Sequence, residues 1–375
     1  MHHRLLCCRA MPLLQQLTPL RAFGVSRSRM HHRYMSCRVI PLQPPPLGVS
    51  RGRLFASLLS PQPFQSQREV HIWYLCPDEL NDQSQLNMYE ELLCPTEWDY
   101  VVSMKGPTLR KDAMLSRALL RTTLSRYTDW KIDPKSFEFK KNKFGKPEIL
   151  WPRDGNIVER PLHFNISHTT SLIACAIAMH AHIGIDIEEK KRNPTKNILS
   201  LARRYFTPYE VDYLAEISDS DAQRKEFLKL WTLKEAYVKA LGMGFSGAPF
   251  STFSIMLETS EGIRISKAPK LCNDSSSGSD HLSENWRFIL AELNSSHYMS
   301  VCVEDDSRNQ GSYCQPAFRD NQFGHLVLSV APLYVGVHVS GLEDGPASVG
   351  LKVWKTIPFV EDTLVSGTDA LKLIA

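Results

Sequence analysis

The chain has 375 residues, 43% apolar and 22% charged, enough to bury one large core or two modest ones. Its formal charge of +4 is unevenly spread: residues 1–68 hold ten arginines and no lysine, aspartate or glutamate, and the remainder holds 34 basic against 40 acidic residues. An acidic body argues against a general nucleic-acid binder, and the apolar run Leu172–Met179 is far too short to span a bilayer.

The acid-free, Arg-rich leader over residues 1–68 has the composition of an organellar transit peptide. A mitochondrial address is expected, with the plastid as the alternative. Arginines interrupt every apolar stretch, unlike a secretory signal. Met1-His2-His3-Arg4 returns as Met30-His31-His32-Arg33, and Gly24-Val25-Ser26-Arg27 as Gly48-Val49-Ser50-Arg51, a duplication tolerated in a segment that does not pack. A start at Met30 or Met35 is the competing reading. Among nine cysteines there is no Cys-x-x-Cys, and no histidine spacing fits a zinc site, so free thiols in a reducing compartment are expected.

From Glu69 the pattern becomes that of a folded body. Val70–Cys76 alternates as a strand does. Pro95-Thr96-Glu97 reads as a helix start, and Lys111–Tyr127 has its apolar residues at helical spacing. Residues 137–139, 163–166 and 172–179 read as strands, and Phe144-Gly145-Lys146-Pro147 as a turn. The second half echoes the first. Pro95–Tyr100 matches Pro208–Tyr213, Lys111-Asp112-Ala113 matches Lys234-Glu235-Ala236, and Asn165-Ile166-Ser167-His168 matches Asn294-Ser295-Ser296-His297. The spacing predicts two similar α+β subdomains joined near residues 180–190, covering 69–180 and 181–305. An extension of unknown role follows over 306–375. Residues 273–283 and 305–321 are rich in small polar residues and read as loops.

Four segments carry candidate chemistry. Lys140-Lys141-Asn142-Lys143-Phe144-Gly145-Lys146 is a basic turn that could grip a phosphate or stand as a solvated loop. Asn165, Ser167 and His168 could offer hydrogen bonds to a phosphate, or serve the turn locally. Asp186 and Glu188 alternate on one face of an Ile-rich strand, where carboxylates are costly unless paired or metal-bound. Pairing with Lys190 or Lys191 is the competing reading. Glu235 and Lys239 lie one turn apart on a helix. Three carboxylates would make an all-oxygen Mg²⁺ site with a lysine beside it for a phosphate.

Phe144-Gly-Lys146-Pro, Phe164-Asn-Ile-Ser-His168, Gly184-Ile-Asp-Ile-Glu188 and Trp231-Thr-Leu-Lys-Glu-Ala-Tyr-Val-Lys239 occur in that order. Together they resemble the Sfp-type 4′-phosphopantetheinyl transferases over roughly residues 70–305, and Val353–Pro358 resembles plant members. The resemblance implies a pseudo-dimer of two α+β halves. It implies transfer of 4′-phosphopantetheine from coenzyme A to a serine of an apo acyl carrier protein, releasing adenosine 3′,5′-bisphosphate. It further implies Mg²⁺ on Asp186, Glu188 and Glu235, with Glu235 and Lys239 catalytic. Lys141, Lys146, Asn165, Ser167, His168 and Lys239 would hold the nucleotide and pyrophosphate phosphates. The carrier is expected to be acidic and to meet Lys190-Lys191-Arg192 and Arg203-Arg204, and the enzyme to be a monomer with no nucleic-acid or membrane partner. A Mg²⁺-dependent nuclease or phosphodiesterase, and a non-catalytic CoA- or carrier-binding module, are the rival functions.

Overall fold

The computed structural model describes residues 64, 66, 68–151, 162–194, 197–258, 262–267, 286–305, 349–358 and 362–374. Almost all of the leader, the stretch 273–283 and residues 306–348 lie outside them. The body opens with strand β1 (Glu69–Leu75), buried along its whole length. Three helices follow: α1 (Gln83–Glu90), α2 (Pro95–Ser103) and α3 (Pro107–Arg126). A short hairpin, β2 (Glu138–Lys141) and β3 (Pro147–Leu150), leads to a long one, β4 (Leu162–His168) and β5 (Ile173–Met179). The second half repeats this order. It runs β6 (Ile183–Glu189), α4 (Ile198–Tyr205), α5 (Pro208–Ala215), α6 (Ser220–Leu241), the hairpin β7 (Phe253–Glu258) and β8 (Gly262–Lys267), then β9 (Trp286–Leu293) and β10 (His297–Glu304).

In each half the last strand returns antiparallel to the first. Trp73 pairs with Cys175 on β5, and Asp186 pairs with Ser300 on β10. The same ion pair also recurs. Glu97 closes a capping box at the start of α2 and meets Arg121 of α3 at 2.8 Å. Glu210 does the same at the start of α5 and meets Lys234 of α6 at 2.9 Å, at the same 24-residue spacing. The chain is thus an α+β pseudo-dimer. Only the first of the three sequence echoes lies in true register. Lys234-Glu235-Ala236 corresponds to Arg121-Thr122-Thr123 rather than to Lys111-Asp112-Ala113. Residues 294–296 form the β9–β10 turn and His297 opens β10, whereas Asn165–His168 lies within β4.

The two sheets pack face to face. Val70, Ile72, Tyr74, Ala174 and Ala176 of one meet Ile183, Ile185, Ile187, Met299 and Val301 of the other. Helices cover the outer faces around Trp73, Leu115 and Leu119 on one side and Leu233, Ala236 and Tyr298 on the other. The C-terminal extension joins both sheets. Strand β11 (Gly350–Lys355) runs parallel beside β1, and β12 (Thr363–Leu364) continues that sheet to the order β12-β11-β1-β5-β4. Strand β13 (Leu371–Leu373) pairs with β9, giving β13-β9-β10-β6. Trp354 stacks on Trp73 with ring centroids 4.4 Å apart, and Arg126 pairs with Asp362. Among the described residues, Cys76, Cys94, Cys175 and Cys302 are free, and no helix is long and apolar enough to cross a membrane.

Two junctions place the site. First, β4 and β6 are the facing edges of the two sheets, and side chains bridge them. Asn165 Oδ1 accepts from the Ile185 amide at 2.9 Å, and Ser167 Oγ accepts from the Ile187 amide at 3.2 Å. This satisfies an edge that would otherwise expose unpaired amides. Second, α6 lies directly on β6 at Gly184. A Cβ there would sit 2.0 Å from the Ala236 carbonyl oxygen and 2.4 Å from the Ala240 nitrogen. Glycine on the strand and alanines at i and i+4 on the helix permit this approach.

Candidate functional site

Ile183, Ile185 and Ile187 point into the inter-sheet core, so period-two alternation turns Asp186 and Glu188 toward α6. The close contact at Gly184 brings Glu235 and Lys239 down beside them. All three carboxylates are buried, with Asp186 at 2%, Glu188 at 7% and Glu235 at 6% exposure. Lys239 Nζ donates to Asp186 Oδ1 at 2.7 Å, to Ser167 Oγ at 3.1 Å and to the Ile185 carbonyl at 3.1 Å. Arg192 Nη1 donates to both oxygens of Glu188. The partners of Asp186 and Glu188 are therefore Lys239 and Arg192. Lys190 pairs with Glu292 at 2.8 Å instead.

Three acids face two cations, and the deficit is visible in two ways. Asp186 Oδ2 is buried with no hydrogen-bond partner. Burial first, and then the charge of Asp186, push the carboxyls of Glu188 and Glu235 up to about 7. Among the described residues, no three His, Cys, Asp or Glu side chains stand arranged to hold a metal ion. The donor set nonetheless fits one: three carboxylates for a hard cation, one oxygen unpartnered, and negative charge in excess. Binding would require the Lys239–Asp186 and Arg192–Glu188 pairs to loosen.

The two raised carboxyls give an expected pH dependence. The folded protein holds protons there that the unfolded chain releases above about 4.5. Their contribution to stability is therefore lost as pH rises from about 4.5 to about 7. A divalent cation bound by the trio would offset that loss where the acids are charged. Melting temperatures with Mg²⁺ and with EDTA should differ little at pH 5 and clearly at pH 7.5. An equal Mg²⁺ effect at both values would contradict this reading of the trio.

The other candidates divide. His168 Nε2 is buried without a partner, and burial, aided by Lys239, pulls its imidazole down to about 4. It is neutral near pH 7 and can donate one hydrogen bond. Lys141 is partly exposed at the end of β2. Lys146 has a structural partner set: its ammonium reaches the carbonyls of Ile183 at 3.0 Å, Lys239 at 2.7 Å and Ala240 at 3.2 Å and clamps the end of α6 to β6. Asn142 supports the same docking by donating to the Gly242 carbonyl at 2.9 Å. Asn165 and Ser167 bridge the two sheet edges, and Ser167 Oγ takes the Ile187 amide and Lys239 and donates to Asp186 Oδ1 at 3.0 Å.

Lys146→Ala is therefore expected to act on stability. Losing three charge-assisted bonds, two to carbonyls at the end of α6 and one to the Ile183 carbonyl of β6, should cost about 2–4 kcal/mol. Lys141→Ala should leave stability unchanged and weaken CoA binding. Urea unfolding alongside CoA titration separates them, and parental stability for Lys146→Ala would contradict the clamp.

Two roles went unread in the sequence. Gly184 carried a legible signal, since a glycine inside an apolar strand marks close backbone approach. Arg192 is expected from sequence to meet the carrier, and its reach to Glu188 carried no signal because it depends on the turn after β6.

Comparison with known proteins accords with this geometry. The family model of the 4′-phosphopantetheinyl transferase superfamily matches residues 182–302, the span that contributes the three carboxylates and Lys239. The 4′-phosphopantetheinyl transferase HetI of Nostoc sp. strain PCC 7120 is 34% identical over 201 residues, which cover 54% of this chain and 79% of that protein. The 4′-phosphopantetheinyl transferase Sfp of Bacillus subtilis strain 168 is 36% identical over 145 residues, covering 38% of this chain and 57% of that one. An L-aminoadipate-semialdehyde dehydrogenase-phosphopantetheinyl transferase of Xenopus laevis is 24% identical, covering 60% and 74%. The chain belongs to the 4′-phosphopantetheinyl transferase superfamily and is an enzyme. The nuclease and the non-catalytic binding module fall away.

Proposed function

We propose that this enzyme transfers 4′-phosphopantetheine from coenzyme A to a serine of an acidic apo acyl carrier protein, with Mg²⁺ held by Asp186, Glu188 and Glu235. The observation that carries the reading is the buried carboxylate trio, one positive charge short, with Lys239 at its edge. When bound, the ion supplies charge neutralisation on the pyrophosphate oxygens.

The chain's own residues supply the rest. The Glu235 carboxylate accepts the proton of the carrier serine. The serine oxygen bonds to the β-phosphorus. The bond from that phosphorus to the bridging oxygen breaks, and adenosine 3′,5′-bisphosphate leaves. Lys239 loosens from Asp186 and faces the leaving phosphate, where a preorganised cation counts most. Neutral His168 donates a hydrogen bond to a phosphate oxygen, and Lys141 adds an exposed, salt-sensitive contact. Lys191, Arg203 and Arg204 are exposed and remain as the steering charges for the carrier.

The test is release of adenosine 3′,5′-bisphosphate from CoA with apo carrier, with the carrier's serine replaced by alanine, and with EDTA. Release only with intact carrier and free Mg²⁺ is expected. Release independent of carrier would overturn the proposal.

A further inference from the structure

We propose that Arg192 is a resident counter-ion that occupies Glu188 in the metal-free protein and gives it up when the divalent cation enters. The inference rests on the metal site proposed above.

Both oxygens of Glu188 are bridged by one guanidinium nitrogen, so the two-oxygen face of that carboxylate is closed to a cation while the pair persists. The pair is built, not incidental. Arg192 follows β6 on a tight turn, its amide bonded to the Glu189 carbonyl at 2.9 Å. Arg224 of α6 donates to the carbonyls of Lys190 and of Arg192, the latter at 3.2 Å, which pins the turn above Glu188. Arg224 is held in turn by Asp221 at 2.6 Å. The backbone of Arg192 is thus fixed while its side chain is 31% exposed, against 9% for Glu188. The guanidinium can swing toward solvent with no backbone change, and the carboxylate cannot follow. Lys239 makes the corresponding contact to Asp186, but it is tethered by two further acceptors and is only 11% exposed. Arg192 is therefore the more readily exchanged cation of the two. Its presence avoids an uncompensated buried carboxylate in the metal-free protein. Its departure leaves a cation beside an arriving pyrophosphate.

Arg192 is a positioning residue on this account, so the readout is metal affinity rather than turnover. Mn²⁺ is titrated into the full chain, with the free ion measured by electron paramagnetic resonance. Arg192→Gln should bind Mn²⁺ about tenfold more tightly than the parent, since the ion no longer competes with a resident cation. Arg192→Lys, which keeps the charge on a shorter, more strongly hydrated side chain, should fall between them and serves if the glutamine variant folds poorly. In a Glu188→Gln background the Arg192→Gln change should have no effect. Unchanged or weaker Mn²⁺ binding by Arg192→Gln in a parent that binds Mn²⁺ would overturn the counter-ion role alone. A parent that does not bind Mn²⁺ would overturn the metal site and this inference with it.

Discussion

Glu235→Gln is expected to lower turnover by at least about 10²–10³, the combined scale of a lost general base and a lost electrostatic contact. The change keeps size and hydrogen-bonding capacity. Glu235 is buried on α6 with Lys239 one turn along the same helix, and its carboxyl is raised to about 7. It is the one carboxylate of the trio whose side chain is engaged by neither Lys239 nor Arg192. It can therefore serve both metal and incoming hydroxyl without first breaking an ion pair. Asp186→Asn should be similarly severe, because Asp186 anchors Lys239 as well. Glu188→Gln should be milder and partly restored by Mn²⁺. Turnover is measured for each variant on one carrier protein across a Mg²⁺ titration. Near-parental turnover for Glu235→Gln would remove the mechanism.

Gly184→Ala is expected to destabilise the protein by about 3 kcal/mol and to impair the folded fraction as well. An added Cβ would lie 2.0 Å from the Ala236 oxygen and 2.4 Å from the Ala240 nitrogen. Both obstacles are helix backbone, which no rotamer change relieves, so α6 must move off β6. Overpacking of this kind costs about 1–3 kcal/mol and more where backbone must shift. The same movement draws Glu235 and Lys239 away from Asp186 and Glu188. Denaturant midpoints and turnover of the remaining folded enzyme would be measured together. An alanine variant with parental values for both would show that α6 does not set the site.

Much of this architecture could be read from residues alone, for identifiable reasons. Alternation fixed the face of Asp186 and Glu188, because period two leaves no choice once Ile183, Ile185 and Ile187 enter the core. Helical spacing placed Glu235 with Lys239. The repeat was legible at Pro95-Thr96-Glu97 and Pro208-Tyr209-Glu210, where capping chemistry demands proline and glutamate at set positions. It was misaligned elsewhere because Arg121 and Lys234 do one job with different residues. The bridging contacts of Lys146, Asn165 and Ser167 were not legible, for a shared reason. Each is polar and sits in a motif, yet each satisfies backbone groups at a junction of elements distant in sequence. The joining of both sheets by residues 350–373 was equally hidden, since nothing local in a strand names its neighbour.

The central claim is that a buried acid trio beside Lys239 moves phosphopantetheine from CoA to a carrier serine. Intact-protein mass spectrometry of an apo acyl carrier protein, incubated with CoA, Mg²⁺ and either parent or Glu235→Gln enzyme, tests it most directly. One phosphopantetheine should be gained on the serine with the parent, none with EDTA, and only slowly with Glu235→Gln. An unmodified carrier with active, folded parent enzyme, or equal modification by parent and variant, would contradict it.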